Sequence, residues 1–174
     1  MREASEPRLG ITPRFCISCG GRLAVRELKA GDPPRSVCTQ CSYVQYADPK
    51  VAAGVICAER NRVILLRRAI EPSYGKWVFP GGFVDLGEAA ADAARRETRE
   101  EVCLDVRISG LLNVYSYPGH PVIVIVYEGE IVSGQLTAGD EALEVRSFAP
   151  AEIPWNELAF PSTRDALREY LARR

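Results

Sequence analysis

The stretch PGGFVDLGEAAADAARRETREEV, residues 80–102, joins a glycine-rich loop to a strongly charged segment. Its second part is rich in alanine, contains no glycine or proline, and begins with acidic residues, which predicts a helix from Glu88 to about Val102. Glu97 and Glu101 are four residues apart and Glu100 is three from Glu97, so the three carboxylates share one helix face. Like charges at this spacing repel each other, so the crowding needs an explanation.

Two explanations fit the charged helix. A hard divalent cation such as Mg²⁺ takes oxygen ligands from a few carboxylates and completes its shell with water and substrate phosphate. Alternatively, the helix presents a solvated face on which Arg95, Arg96 and Arg99 balance the acids. The preceding Gly81 and Gly82 favour the metal, because glycines let the backbone pass close to a ligand.

The pattern G-x5-E-x7-R-E-x-x-E-E, from Gly82 to Glu101, resembles the Nudix box. The resemblance implies that Glu97, Glu100 and Glu101 are catalytic and bind Mg²⁺ or Mn²⁺. It also implies that Arg96, counted with the catalytic group, pairs with Glu88 and orients the glutamates. Gly81, Gly82 and Glu88 are then assigned to substrate binding, with the backbone of Gly82 offered to metal or substrate.

The sequence departs from the box at two positions. Thr98 stands where an aliphatic residue is usual, and Cys103 stands where glycine is usual. Neither is a ligand position, so the departures concern the packing of the helix and the turn at its end.

Outside the box, short β-rich runs dominate, and few helices interrupt them. This mixture predicts an α+β fold, and the resemblance implies a Nudix α/β/α sandwich with a mixed sheet. A two-residue hairpin is predicted at Arg60 and Asn61, and a C-terminal helix capped by Ser162 or Thr163 is predicted over 162–174. The predicted strands cover 51–59, 62–70, 105–117, 120–132 and 143–150, with a polar loop at 133–142.

Four of the six cysteines form two pairs, Cys16-x-x-Cys19 and Cys38-x-x-Cys41, in the spacing of a zinc ribbon. Four thiolates fill all positions of a tetrahedral Zn²⁺ site, so the metal would be structural. Two disulfides or four unrelated thiols are the alternatives. The predicted organisation is a leader at 1–13, a zinc ribbon at 14–46 and a Nudix domain at 51–174.

The composition and the charge of the chain argue against a membrane protein, a secreted protein and a nucleic-acid-binding protein. The chain of 174 residues has 47% hydrophobic and 26% charged residues and a net charge of −1, which is a globular composition without a basic field for nucleic acid. The N-terminus lacks the apolar core of a signal peptide, and no apolar run is long enough to span a bilayer. We therefore expect a cytoplasmic protein with reduced cysteines, no membrane and no nucleic-acid partner; a homodimer stays open.

A ribbon followed by a Nudix domain is similar to NADH pyrophosphatases and, more closely, to shorter proteins related to the plant chloroplast FAD/ADP-ribose pyrophosphatase. The stretches IEPSYGKW (70–77) and LAFPS (158–162) carry the second resemblance. The NADH signature is missing from LLNVYSYPGHPV (111–122). The implied activity is Mg²⁺-dependent hydrolysis of FAD or ADP-ribose to AMP plus FMN or ribose 5-phosphate.

Two glutamates and two arginines outside the Nudix box are further candidate site residues because of where they lie in the sequence. In several relatives a glutamate on a loop after the sheet is the base or an extra ligand; Glu141 and Glu144 match it, and Glu141 is preferred because it precedes a strand and can swing. Either glutamate can instead be a solvated loop acid. Arg67 and Arg68 end an alternating strand, so one should face the site and hold a phosphate.

Aromatic side chains are candidates for stacking on a flavin or adenine ring. The candidates are Tyr74, which is assigned to substrate binding, and Trp77, Phe79, Tyr115, Tyr117 and Phe160. Trp77 and Phe79 fit a core position better, and the single histidine, His120, is assigned to a loop surface. Two rival functions remain: hydrolysis of NADH or an RNA cap, and a non-catalytic nucleotide-sensing regulator.

Overall fold

The computed structural model describes residues 13–174 and divides into two compact units, one ending at Pro49 and one comprising Lys50–Arg174. Apart from Pro13, the predicted leader at 1–13 lies outside the described residues. No helix within 13–174 combines the length and the apolar character needed to cross a membrane.

The first unit is a small antiparallel sheet of three strands: β1 (Leu23–Arg26), β2 (Arg35–Cys38) and β3 (Val44–Gln45). The first cysteine pair precedes β1. The second pair begins at the last residue of β2 and ends in the turn before β3. Both pairs therefore lie at turns, which suits the tight backbone of a metal knuckle.

The second unit contains a seven-stranded mixed sheet and two helices within the described chain. In chain order its elements are β4 (Lys50–Glu59), β5 (Arg62–Arg68), β6 (Trp77–Val78), β7 (Gly81–Phe83), α1 (Ala90–Val102), β8 (Leu104–Tyr115), β9 (Val122–Gly134), β10 (Ala142–Phe148) and α2 (Pro161–Ala172). Two short 3₁₀ helices, Pro150–Glu152 and Trp155–Glu157, connect β10 to α2.

The strand order is β10-β5-β4-β9-β8, with β6 added to β5 and β7 added to β4. β4 and β9 are parallel, whereas the other pairs are antiparallel. The β4–β5 hairpin turns at Arg60 and Asn61, whose φ angles of 49° and 62° suit the tight two-residue turn predicted there. Strand β7 pairs with the first half of β4, which places the glycine pair beside the centre of the sheet.

Each face of the sheet buries one helix. On one face, Ala93 and Ala94 of α1 pack against β4, and their small side chains let the helix lie close to the strands. On the other face, Ala166, Leu167 and Tyr170 of α2 pack in a second core cluster. Two hydrophobic layers around a mixed sheet confirm the predicted α/β/α sandwich.

The helix boundaries differ slightly from the prediction. Helix α1 begins at Ala90 rather than Glu88, because Glu88 belongs to the preceding turn, where its carboxylate accepts a hydrogen bond from the Asp85 N–H group. The predicted cap of the C-terminal helix is wrong. Helix α2 begins at Pro161, whose fixed φ suits a first helical position, so Ser162 and Thr163 lie inside the first turn and do not cap it.

Candidate active site

The four predicted zinc ligands gather at one point of the first unit. The sulfur atoms of Cys16, Cys19, Cys38 and Cys41 all lie within 4.8 Å of one another. The Cys16–Cys41, Cys19–Cys38 and Cys19–Cys41 sulfur distances are 3.7, 3.5 and 3.3 Å. Thiolates around a tetrahedral zinc ion stand ~3.8 Å apart, whereas disulfide sulfurs are ~2.05 Å apart. The geometry therefore fits one zinc ion and not two disulfides.

Backbone N–H groups at the turns stabilise these thiolates. The N–H groups of Gly21 and Gln40 donate to the sulfurs of Cys19 and Cys38, both at 3.4 Å. Hydrogen bonds from the Cys41 and Gln40 N–H groups lower the pKa of Cys38, which favours the thiolate, the form that binds metal. The Gly21 N–H group acts in the same direction on Cys19, but the Cys41 and Cys38 sulfurs outweigh it and raise the pKa of Cys19.

A cavity of about 1200 Å³ opens in the second unit beside the charged helix. Its walls include the glycine pair Gly81 and Gly82, the start of β4 and the first turn of α2. Among the predicted catalytic residues, the ones that line it are Glu97, Glu100, Glu101, Glu141 and Arg96. The fold thus brings residues from distant parts of the sequence to one place.

Glu101 is the most buried of these carboxylates, with 5% of its surface exposed. Its Oε2 accepts a hydrogen bond from the Gly81 N–H group at 2.8 Å. Burial raises the pKa of Glu101 to about 8, against the lowering effect of that hydrogen bond. A buried carboxylate that resists ionisation is stabilised in its charged form when a cation lies beside it.

Glu97 lies directly against the glycine loop. A Cβ atom added to Gly82 would stand 2.4 Å from the Glu97 carboxylate carbon, so a larger residue would push this carboxylate aside. Burial raises the pKa of Glu97, and the charges of Glu100 and Glu141 add to the effect. Repulsion among carboxylates is therefore present in this cavity.

Arg96 holds the glutamates in place, as predicted for its charge pair with Glu88. Its Nε and Nη2 donate to the two Glu88 oxygens at 2.9 and 3.0 Å, and its Nη1 donates to Glu97 and Glu100 at 2.8 and 3.1 Å. These bonds raise the pKa of Arg96 and lower the pKa of Glu88, chiefly through the contact between the two. Glu88, assigned to substrate binding from the sequence, is outside the cavity wall, and both of its oxygens contact Arg96.

The glutamate oxygens are less tightly gathered than the cysteine sulfurs. Within 13–174, the cysteine quartet is the one group of three or more metal-ligating side chains whose ligand atoms all lie within 4.8 Å. Arg96 contacts one oxygen of Glu97 and one of Glu100, and Glu100 is half-exposed.

The two loop glutamates occupy different places. Glu141 lines the cavity, whereas Glu144 lies on β10 opposite Arg67, near Arg146, and is not part of the cavity wall. The backbone around Glu141 is tied down, since its carbonyl accepts a hydrogen bond from the Ala69 N–H group at 2.8 Å. The backbone at Glu141 is therefore held, and any movement of its carboxylate within the cavity comes from rotation of the side chain.

The two neighbouring arginines also separate. Arg68 lines the cavity, is buried, and places its guanidinium 5.3 Å from the centre of the Phe160 ring. Its Nε donates to the Pro72 carbonyl at 2.9 Å. Arg67 instead donates to the Gly75 carbonyl and lies outside the cavity wall. Arg68 is thus the arginine that faces the site.

The aromatic candidates divide in the same way. Trp77 is buried in a core cluster, with its ring 4.9 Å from the Phe148 ring. Tyr115 is buried and donates its hydroxyl to Glu169. Tyr74 is exposed, and the structure places it outside the cavity wall.

Three aromatic candidates line the cavity. Phe79 does so while belonging to the core, Phe160 lies under Arg68, and Tyr117 donates its hydroxyl to Asp165 at 2.7 Å. These rings therefore come from the segment between β6 and β7, the loop after β8 and the residue before α2.

Comparison with known families identifies the two units. The family model described as NUDIX domain matches residues 48–170, and the one described as Nudix N-terminal, a zinc ribbon, matches residues 14–47. The chain is a member of the Nudix hydrolase family. The charged helix and the glycine pair are its Nudix box.

Curated relatives carry two kinds of name. The chain is 37% identical over 170 residues to an ADP-ribose pyrophosphatase of Methanocaldococcus jannaschii, covering 90% of this chain and 94% of the relative. It is 29% identical over 168 residues to the NAD-capped RNA hydrolase NudC of Pseudomonas aeruginosa. That match covers 92% of this chain but 56% of the relative, so the chain spans about half the length of NudC.

Solved structures agree on the fold. A Nudix hydrolase from Nitrosomonas europaea superposes with a TM-score of 0.87 at 39% identity, covering 93% of this chain and 92% of the other. A MutT Nudix hydrolase from Burkholderia pseudomallei superposes with a TM-score of 0.64 at 28% identity, over 70% of this chain and 98% of the other. The wider coverage by the first includes the ribbon as well as the Nudix domain.

The two departures from the Nudix box are accommodated locally. Thr98 is fully buried and donates its hydroxyl to the Ala94 carbonyl at 2.7 Å, so its polar atom is satisfied within the helix. Cys103 ends the helix with φ of 56°, a left-handed conformation that explains the usual glycine there. Neither side chain displaces a glutamate.

The structure adds cavity residues that sequence reasoning missed. Phe83 is 49% exposed and lines the cavity, and alternation along β7 places it on the same face as Gly81. His120, assigned to a loop surface, also lines the cavity, with its ring centre 6.0 Å from that of Tyr117. Strand alternation after the Nudix glycines was the sequence feature that could have revealed Phe83. No sequence feature near His120 indicates that this residue lines the cavity.

Proposed function

We propose that the protein hydrolyses ADP-ribose between its two phosphates in a reaction that requires Mg²⁺ or Mn²⁺, giving AMP and ribose 5-phosphate. One observation carries the proposal: a single cavity joins four glutamates, a buried arginine and exposed ring surfaces. The similarity to an ADP-ribose pyrophosphatase along 94% of that protein supports the choice of substrate.

The residues present fit a hard divalent cation. Glu97, Glu100 and Glu101 offer oxygen ligands on one helix face, and burial raises the pKa of Glu101, so a cation would stabilise its charged form. Gly82 leaves the Glu97 carboxylate in direct contact with the backbone of the loop. These three glutamates would hold the metal, with Arg96 fixing their orientation.

The bound cation would neutralise phosphate oxygens and lower the pKa of the attacking water. Glu141 is proposed as the base that accepts the proton of that water or as an additional ligand. Water attacks one phosphorus, the bond from that phosphorus to the bridging oxygen breaks, and the bridging oxygen leaves with the other phosphate.

Arg68 is proposed to hold the phosphate that leaves or is attacked. Its guanidinium faces the cavity, and Phe160 and the Pro72 carbonyl fix its position. A charged hydrogen bond from a preoriented arginine strengthens as negative charge develops.

The adenine or ribose end is proposed to lie on the apolar part of the cavity. Phe83 of β7 and Val124 of β9 both neighbour Ala52 of β4 in the sheet, so their side chains share one face. Tyr117 and His120 line the same cavity. A flat ring would stack on this surface, which holds it by contact area more than by specific hydrogen bonds.

Three other substrates share the adenosine diphosphate half of ADP-ribose. FAD is proposed as a second substrate because IEPSYGKW and LAFPS resemble the plant chloroplast FAD/ADP-ribose pyrophosphatase. NADH and NAD-capped RNA are the alternatives that the similarity to NudC favours. The absence of an NADH signature in 111–122 and the net charge of −1 argue against them. The cytoplasm stays the proposed compartment.

The experiment is a comparison of kcat/KM for ADP-ribose, FAD, NADH and a short NAD-capped RNA on zinc-replete protein with Mg²⁺. We expect ADP-ribose to be cleaved with the highest kcat/KM and to release AMP. A preference of tenfold or more for NADH or the capped RNA would overturn the substrate assignment. It would leave the metal-dependent diphosphate hydrolysis standing.

A further inference from the structure

The loop that carries Glu141 is attached to the end of the Nudix helix through its backbone. The Thr137 N–H group donates to the Val102 carbonyl at 3.2 Å, and the Gly139 N–H group donates to the Glu101 carbonyl at 3.0 Å. The last carbonyls of a helix have no partner within the helix. The loop therefore supplies donors that the helix lacks.

Gly139 packs so closely against the backbone of α1 that there is no room for a side chain at this position. A Cβ atom at this position would stand 1.9 Å from the Glu100 carbonyl oxygen and 3.3 Å from the Glu101 Cα. Both atoms belong to helix backbone, which cannot yield as a flexible side chain does. The φ angle of Gly139 is not in the left-handed region, so the position needs glycine for space and not for conformation.

The same loop is fixed on its other side. The Ala142 N–H group donates to the Gly139 carbonyl at 3.1 Å, and the Ala69 N–H group donates to the Glu141 carbonyl at 2.8 Å. Glu141 therefore lies on a short span held between the helix end and the residue after Arg68. Its side chain lines the same cavity as Glu97 and Glu101.

We propose that Gly139 is a positioning residue, which sets the distance between Glu141 and the metal-binding glutamates by letting the loop lie directly on the helix backbone. This inference rests on the proposed function, because it assigns Glu141 a part in the reaction. Relief of a 1.9 Å contact requires an outward shift of ~1 Å or more, and a displacement of that size lowers catalysis by up to about 100-fold.

The test is a double-mutant cycle of Gly139→Ala and Glu141→Gln with ADP-ribose as substrate. Gly110→Ala is the matched control, since a Cβ there meets nothing within 4 Å and the φ angle is also outside the left-handed region. We expect Gly139→Ala to lower kcat 10- to 100-fold with little change in KM. Gly110→Ala should stay within twofold of wild type.

The double-mutant cycle distinguishes an effect of Gly139 on the position of Glu141 from an effect on the fold as a whole. If Gly139 acts through Glu141, Gly139→Ala has almost no further effect on kcat once Glu141→Gln is present. Effects that multiply in the double variant, or a Gly139→Ala enzyme with wild-type kcat, overturn the proposal. Unchanged tryptophan fluorescence, from Trp77 and Trp155, shows that each variant is folded.

Hydrogen exchange gives a readout that does not depend on activity. Gly139→Ala should speed amide exchange in residues 137–142, while exchange in the first turns of α1 stays as in wild type. If the wild type cleaves none of the tested substrates, the proposed function fails by itself. Unchanged exchange in 137–142 would then still refute the role of Gly139, and faster exchange would support its docking of the loop.

Discussion

Replacing Glu101 by glutamine should remove a pH-dependent destabilisation of the Nudix unit. Glu101 is 5% exposed, and burial raises its pKa from 4.5 to about 8 when no metal is bound. Below pH 4.5 the folded and unfolded states both hold the proton, so Glu101 has no effect on the free energy of unfolding. Between these two values the unfolded state ionises and the folded state does not, so the metal-free protein loses stability as pH rises.

The size of the effect follows from the two pKa values. A difference between 4.5 and about 8, at about 1.4 kcal/mol per pH unit, gives an upper limit of about 5 kcal/mol at pH 8 and above. Relaxation of the cavity and entry of water reduce this, so we expect ~2–4 kcal/mol. Glutamine has the same shape, and its side-chain oxygen can still accept the Gly81 N–H hydrogen bond, but it carries no charge.

The assay is urea unfolding of wild type and Glu101→Gln in magnesium-free buffer at pH 5, 6, 7 and 8. Trp77 and Trp155 are the two tryptophans of the chain and both lie in the Nudix unit, so their fluorescence reports this unit. The difference in unfolding free energy between variant and wild type should grow with pH, because the other titrating groups cancel. Added Mg²⁺ should shrink it by stabilising the charged wild-type site.

A difference that stays constant from pH 5 to pH 8 would refute the reasoning. It would mean that the Glu101 carboxylate is solvated or paired at neutral pH and is not a desolvated metal ligand. A variant less stable than wild type at pH 8 would contradict it as well.

Three further predictions concern residues in and around the glutamate cluster and the zinc site. Gly82→Ala should keep the fold but lower kcat at least ~10-fold, because its Cβ would meet the Glu97 carboxylate carbon at 2.4 Å; steady-state kinetics and circular dichroism check both parts. Arg96→Lys should lower activity or Mg²⁺ affinity ~10- to 100-fold, since lysine cannot make the paired hydrogen bonds to Glu88; a titration of rate against Mg²⁺ that matches wild type would contradict this. Cys38→Ser should lose zinc and lower stability and solubility sharply, because zinc binding and folding of the ribbon are coupled; metal analysis should find about one zinc per wild-type chain and much less in the variant.

The sequence predicted the parts of the site that are close together along the chain. The spacing of Glu97, Glu100 and Glu101 places them on one helix face whatever surrounds the helix. The cysteine pairs are equally local, because two short knuckles suffice to form the site. Both patterns therefore predicted structure without knowledge of the tertiary fold.

The remaining site depends on contacts between distant segments. Of the neighbours Arg67 and Arg68, only Arg68 lines the cavity, because successive side chains of a strand point to opposite faces of the sheet. Which of the two faces the cavity depends on how the strand lies in the sheet. The choice between Glu141 and Glu144 depended on where the loop meets the helix end, and sequence spacing carries no information about that contact. The cap of α2 was assigned to Ser162 or Thr163 by residue preference, but Pro161 starts the helix earlier.

The most direct test of the central claim is the rate of AMP release from ADP-ribose as a function of Mg²⁺ concentration, for wild type and Glu101→Gln. We expect no release without divalent cation, a saturable rise with Mg²⁺ for wild type, and a kcat lower by about 10²- to 10³-fold for the variant. Release that is independent of Mg²⁺, or a variant within a few-fold of wild type, would show that the glutamate cluster is only a charged helix face.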